Sequence, residues 1–257
     1  MTTLSERIIE PHTEYFLFDS FKKYGCIAGF SRGRLNLGFQ NNPDLKKNRE
    51  SFLRTIGIKP DELICLKQVH GNKIFLAKKE DKGRGAFDYD SAIPDCDGII
   101  TREKELPLAV FSADCLSVFM LDTANRVSAI LHAGWKGARD RIALSALDIF
   151  KNRFNSRAKD IICGFGPCIR NCCYEVSEVF QDYFPDCVEQ RQGKLFLNLI
   201  KVNSRQLLSA GVLEKNINDS QICTFCRDDD FFSYRKEGQN AGRMMSVVMV
   251  KQFTVDG

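Results

Sequence analysis

The chain reads as an α+β (α/β mixed) protein, a layered domain of mixed β-sheets flanked by helices. Three observations lead there. Short apolar runs of strand length recur between clusters of turn residues, as at 108–111, 127–131, 160–165 and 246–250. Other stretches, at 45–57, 138–154 and 199–210, space their apolar residues at helical intervals. Apolar residues make up 44% of the 257 positions, ample for a core, and no stretch rich in Pro, Gly or Ser separates two halves. Residues 1–257 are therefore expected to form a single domain without internal repeats.

In chain order, residues 1–20 set Tyr15-Phe16-Leu17-Phe18 among charges, either a first strand or a packed N-terminal arm. Residues 45–57 are an amphipathic helix closed by Gly57. The apolar run 63–69 reads as a strand ending at His70-Gly71, 72–77 as its continuation, and 78–85 as a charged surface loop. Pro94-Asp95-Cys96-Asp97-Gly98 is turn chemistry before a short strand. Residues 108–121 form a long apolar run, turned at Asp122-Thr123-Ala124-Asn125 into a second strand that ends at His132. Gly134-Trp135-Lys136-Gly137 then reads as a turn into the helix 138–154, and Gly211 closes the helix 199–210.

A net charge of +4, with Lys and Arg spread along the chain, does not call for a nucleic-acid partner. Eleven cysteines, an odd number at irregular spacing, argue against a secreted disulfide framework. The first residues lack the apolar core of a signal peptide, and no apolar run is long enough to span a bilayer. The expectation is a cytoplasmic protein with reduced thiols, a monomer or homodimer, acting on small molecules and not on membranes.

Chemistry concentrates at three positions. The chain has three histidines, and two of them, His70 and His132, close apolar runs, while Cys115 sits inside the long run 108–121. Imidazole and thiolate are preferred donors for zinc or copper, and three protein ligands leave a position open for water or substrate. Spacing alone leaves two readings, a joint metal site or two separately hydrogen-bonded histidines and a small buried thiol. Asp97 is placed to orient a ligand histidine through its second nitrogen, or to serve as a turn aspartate. Arg32 and Arg34 suit bidentate phosphate binding or a solvated surface, and Lys136 lies where a helix start offers free N–H groups to an anion. Tyr234, Arg235 and Arg243 are candidates to frame a pocket for base or phosphate. Cys168, Cys172 and Cys173, with Cys223-Thr224-Phe225-Cys226, contain half a zinc site's C-x-x-C spacing. The glycines that flank a zinc knuckle are missing, so incidental thiols are the simpler reading.

The strings Lys67-Gln68-Val69-His70-Gly71, Ser112-Ala113-Asp114-Cys115-Leu116, Leu131-His132-Ala133-Gly134-Trp135-Lys136-Gly137 and Phe231-Phe232-Ser233-Tyr234-Arg235 resemble, in order, the signature blocks of the YfiH-type family. That family was long labelled multicopper polyphenol oxidase or laccase-domain protein. The resemblance covers nearly the whole chain. It implies a YfiH-like fold layered as helix, sheet, sheet and helix. It also implies a zinc-dependent purine nucleoside phosphorylase with adenosine deaminase and methylthioadenosine phosphorylase activity, inorganic phosphate being the co-substrate. His70, Cys115 and His132 would hold the metal, zinc or alternatively copper, with Cys115, His132 and the proton carrier Asp114 as catalytic residues. Arg32, Asn36, Lys136 and Arg235 would contact substrate or phosphate. The opening block departs from the family: the loop after Arg32 is shorter and its double glycine is absent. Two other activities suit the same residues, a Cys115–His hydrolase acting on an amide such as a peptidoglycan precursor, and copper-dependent phenol oxidation. Against the latter stands the count of three histidines.

Overall fold

Along the strand Met244–Val250, Met245, Val247 and Met249 belong to one apolar cluster while Met244, Val248 and Val250 belong to another. Side chains alternate faces along a strand, so this strand is covered on both sides. It is the fourth strand of a five-stranded antiparallel sheet with the order Leu4–Glu10, Thr13–Phe18, Cys26–Arg32, Met244–Val250, Leu108–Ser112. The computed structural model describes residues 4–10, 13–40 and 42–252, with side chains from Tyr15 onward.

A second, six-stranded sheet runs Ile217–Asp219, Ile161–Phe165, Leu116–Asp122, Val127–Ala133, Gly98–Thr101, Ile74–Leu76. Its outer pairs are parallel and its inner pairs antiparallel. Between the sheets lies one apolar layer, with Phe16, Phe30, Val110 and Val248 from the first and Ile99, Phe119 and Ile130 from the second. The helix Leu45–Thr55 covers the outer face of the first sheet through Phe52 and Leu53. On the outer face of the second, the helices Ile142–Phe154 and Leu199–Ser209 pack Ala146, Phe150 and Leu207 against Val118, Ala129 and Leu131. The result is the expected order of helix, sheet, sheet and helix. Each of these fully buried aliphatic or aromatic side chains contributes roughly 1.5–3 kcal/mol. No helix among the described residues is long and apolar enough to cross a membrane.

Four local outcomes differ from the sequence reading. The run 108–121 is not continuous: Leu108–Ser112 pairs in the first sheet and Leu116–Asp122 in the second. The break falls at Asp114, whose φ of 85° is disfavoured for any residue but glycine. Residues 63–69 form no strand and make isolated bridges, Ile64 to Leu108 of the first sheet and Leu66 to Ile93 in a loop. The helix expected from 138 begins earlier, as Trp135–Arg139, and breaks at Arg141, with φ 61°, before Ile142–Phe154. A small three-stranded sheet, Glu175–Val176, Lys194–Leu197 and Val188–Arg191, was not foreseen. Of the proposed arm, Thr13–Phe18 is a sheet strand, and residues 1–3 lie outside the described residues.

Candidate active site

The break between Leu108–Ser112 and Leu116–Asp122 places Cys115 where the chain crosses from one sheet to the other. His132 lies on the neighbouring strand, opposite Ser117, and His70 follows the irregular segment that bridges to Leu108 of the first sheet. The three donor atoms lie within 4.8 Å of one another, and the two imidazole rings meet edge to face at 4.8 Å between centroids. Gly134 is required beside them, because a Cβ there would stand 2.8 Å from the Cys115 sulfur.

Asp97 organises this group. Fully buried, it accepts hydrogen bonds from the backbone N–H groups of Val69, His70 and Gly71 at 3.1, 2.9 and 2.7 Å. The left-handed turn at His70, φ 61°, is what aims three successive N–H groups at one carboxylate. The same carboxylate faces Nδ1 of His132 at 2.8 Å, while the Asp97 carbonyl accepts from the His132 backbone N–H at 2.7 Å. A carboxylate on Nδ1 fixes the tautomer that leaves Nε2 as a free donor. Burial opposes ionisation of Asp97, but the His132 ring and the N–H groups outweigh it and hold the carboxyl below its ordinary value.

Burial alone would raise the Cys115 thiol, yet His132 and His70 outweigh it and bring it down to about 6. Burial would likewise lower His132, but Cys115 and Asp97 push it up to about 9. The pair rests as thiolate and imidazolium; with the His132 proton displaced, two imidazoles and a thiolate within 4.8 Å of one another, one ring held from behind by Asp97, fit a zinc-like cation.

The group opens onto a cavity of about 860 Å³. Phe39, Tyr89, Phe111, Trp135, Tyr174 and Tyr234 supply its aromatic lining, and Arg235 and Arg243 its cations. Asp114 also lines it, but both carboxylate oxygens are engaged: Thr224 Oγ1 donates at 2.6 Å, Ser233 Oγ at 3.0 Å and the Arg235 backbone N–H at 2.7 Å. Asp114, expected as a proton carrier, fastens the 224 and 233–235 segments to the sheet crossing.

Of the expected substrate contacts, Arg235 lines the cavity, donating one N–H to the Glu175 carbonyl and lying over the Tyr174 ring. Arg32, Asn36 and Lys136 are not among the lining residues. Arg32 pairs with Asp230, and Arg34 with Glu237, so these arginines clasp the opening segment to residues 228–237. Asn36 accepts from the backbone N–H groups of Gly38 and Arg243 and donates to the Gln40 carbonyl, organising the loop that carries Phe39. Lys136 is exposed, over the outer side of Trp135.

Two residues escaped the sequence reading. Gln68 exchanges two hydrogen bonds with the Phe111 backbone, at 2.7 and 2.8 Å, and so sets the distance between the His70 segment and the cavity wall. Arg49 is wholly buried, donates to the carbonyls of Leu37, Gly85 and Ala86, and lies 4.2 and 4.7 Å from the ring centroids of Phe39 and Phe111. An arginine on the buried face of an amphipathic helix was the available signal, since helical spacing from Phe52 and Leu53 puts it there.

Residues 21–251 match the family described as multi-copper polyphenol oxidoreductase laccase. The purine nucleoside phosphorylase YlmD of Geobacillus stearothermophilus is 31% identical over 246 residues, covering 87% of this chain and 90% of that protein. A protein from an unknown prokaryotic organism named adenosine deaminase RL5 is 28% identical, covering 79% of this chain and 80% of its own. The crystal structure of the Bacillus licheniformis hypothetical protein YfiH superposes with a TM-score of 0.88 at 30% identity, covering 96% of this chain and 99% of that one.

Proposed function

The chain belongs to the multi-copper polyphenol oxidoreductase laccase family, and from that membership and its cavity we propose that it is a zinc-dependent purine nucleoside phosphorylase with adenosine deaminase activity. The observation that carries the reading is one cavity holding the His70–Cys115–His132 donors together with an aromatic lining and two arginines. Its volume of about 860 Å³ accommodates a nucleoside with phosphate, within the range of roughly 300–1,000 Å³ usual for small-molecule sites. Methylthioadenosine, with a larger 5′ group, belongs to the same proposed substrate class.

His70, Cys115 and His132 would hold the metal, which supplies Lewis-acid polarisation of a substrate oxygen or activation of water. The protein's own residues do the rest. Asp97 keeps His132 in the donor tautomer and, through the 69–71 N–H groups, fixes where His70 stands. The aromatic lining stacks the purine, and Arg235 with Arg243 neutralises phosphate. In phosphorolysis the N-glycosidic bond breaks, the purine leaves with its electron pair and takes up a proton. A phosphate oxygen then bonds to C1′, giving ribose 1-phosphate.

A second reading has a specific observation behind it. The Cys115 sulfur interacts with His132, whose Nδ1 is held by Asp97, the layout of a cysteine nucleophile, base and orienting carboxylate. An amide hydrolase working this way would keep its activity after chelation and lose it on thiol alkylation.

One experiment separates them. Adenosine and inosine are incubated with purified protein, with and without inorganic phosphate, alongside His132→Ala. Free base plus ribose 1-phosphate, dependent on phosphate and absent in the variant, supports the phosphorylase, and inosine formed from adenosine without phosphate supports the deaminase. No turnover of either nucleoside would overturn the reading.

A further inference from the structure

Cys172, Cys173, Cys223 and Cys226 stand apart from the active site as a second group of donors, their four sulfurs all within 4.8 Å of one another. None of the four is in a disulfide. The two sulfur separations resolved as contacts are 3.7 Å, Cys172 to Cys226, and 3.3 Å, Cys173 to Cys226. A zinc ion bound by four thiolates at about 2.3 Å sets its sulfurs about 3.8 Å apart, a spacing that four sulfurs within 4.8 Å of one another reach by small side-chain shifts. We propose that these cysteines form a structural zinc site of the four-thiolate type, distinct from the His70–Cys115–His132 group.

The backbone around the sulfurs is built for it. Cys168 and Cys223 form an isolated parallel bridge, with the Thr224 N–H donating to the Cys168 carbonyl at 3.1 Å, so the loop 168–174 and the turn 223–226 lie side by side. The Arg170 guanidinium closes the same junction with two bonds to Asp219 at 2.8 and 2.7 Å. The turn is further held by the Arg227 N–H, which donates to the Cys223 carbonyl at 3.1 Å. Cys168, grouped with these cysteines in the sequence reading, is not part of the shell: it is fully buried in the apolar layer under the second sheet.

Four sulfurs fill a tetrahedral shell and leave no position open, which points to a closed structural site rather than a catalytic one. Its place in the fold gives it work to do. The 168–174 loop supplies Ile169 and Tyr174 to the cavity lining, and Thr224 holds Asp114. A zinc ion across the two segments therefore ties one cavity wall to the clamp on the Cys115 crossing.

The test uses the full chain, purified with zinc present, as wild type, His132→Ala, the double variant Cys172→Ser/Cys226→Ser, and the combination of all three. Metal per chain is measured by mass spectrometry, and each form is also loaded with Co²⁺ for its absorption spectrum. His132→Ala is expected to keep one zinc and, with cobalt, to show intense sulfur-to-metal charge transfer and tetrahedral bands. Both disappear in the triple variant, and the Cys172→Ser/Cys226→Ser protein loses one equivalent relative to wild type. Should the serine variants fail to fold, titration of His132→Ala with a mercurial is expected to release one zinc as four thiols react. A wild type holding a single zinc that His132→Ala retains would overturn the metal at the catalytic site and leave this one standing. Zinc-free His132→Ala, the four cysteines recovered as disulfides in denaturant, or iron with acid-labile sulfide in place of zinc would each overturn this proposal.

Discussion

The two donor groups of this molecule contrast in donor type, number and surroundings. His70, Cys115 and His132 combine nitrogen with sulfur, number three, and open onto a cavity. Cys172, Cys173, Cys223 and Cys226 are all sulfur, number four, and lie outside the cavity lining. Behind the first stands a buried carboxylate, Asp97, that accepts four hydrogen bonds, three of them from consecutive backbone N–H groups. Behind the second stand a backbone bridge, Cys168 to Cys223, and a salt bridge that joins the loops. The difference teaches that ligand atoms alone do not distinguish a working centre from a clip. The open position, the orienting second layer and the adjoining cavity do.

The sharpest way to break the comparison is to remove a donor from the open group. His132→Ala is expected to reduce kcat/KM on nucleosides to below about one-hundredth of wild type, beyond the tenfold to hundredfold usual for outer residues. The second group keeps its metal. Steady-state kinetics with metal analysis read both at once, and activity retained above a tenth of wild type would remove His132 from the ligand set.

Asp97→Asn probes the layer behind the ligand. The amide keeps the volume but loses the charge and one acceptor facing three N–H groups and the His132 ring. A loss of about tenfold to hundredfold in activity or metal affinity is expected. Stability should fall by about 1.5–3 kcal/mol, since a charged acceptor of buried bonds is gone. Thermal unfolding checks the second figure. Unchanged activity with lowered stability would make Asp97 a purely structural anchor.

Arg235→Ala asks whether the cavity's cations serve the co-substrate. About a tenfold rise in KM for phosphate, with kcat for phosphate-independent deamination unchanged, is expected from the loss of one charge-assisted contact. A proportionate fall in both reactions would instead assign Arg235 to the wall, through its bond to the Glu175 carbonyl.

How much of this was legible beforehand follows from which forces are local. The helix Leu45–Thr55, the strands around His132 and the turn at Asp122 announce themselves through periodicity and turn residues, and all are present. The break at Asp114 was invisible, because the left-handed backbone there is imposed by partners more than a hundred residues away, Thr224, Ser233 and Arg235. The three partners of the Asp114 carboxylate were invisible for the same reason. His70 and His132 stood out as rare residues at the ends of apolar runs, but their meeting depends on how two sheets pack, which no local pattern encodes. The four-cysteine group was legible by half: the C-x-x-C spacing is local, while the approach of Cys172 and Cys173 to it depends on the loop 168–174 lying beside the turn 223–226.

The smallest expected effect concerns Lys136, four residues beyond His132 and the position where sequence alone put an anion at a helix start. The helix it opens, Trp135–Arg139, is a single turn, and the lysine is exposed, resting against Trp135 from outside the cavity. A surface cation of this kind contributes within about 0.5 kcal/mol to stability. Lys136→Ala is therefore expected to leave Tm, metal content and KM for phosphate all within error of wild type. A severalfold rise in KM for phosphate, with kcat unchanged, would move the phosphate contact from Arg235 to this turn. The turn after His132 would then join the open centre as a working part, and the line between its catalytic and supporting residues would be redrawn one helical turn further from the metal.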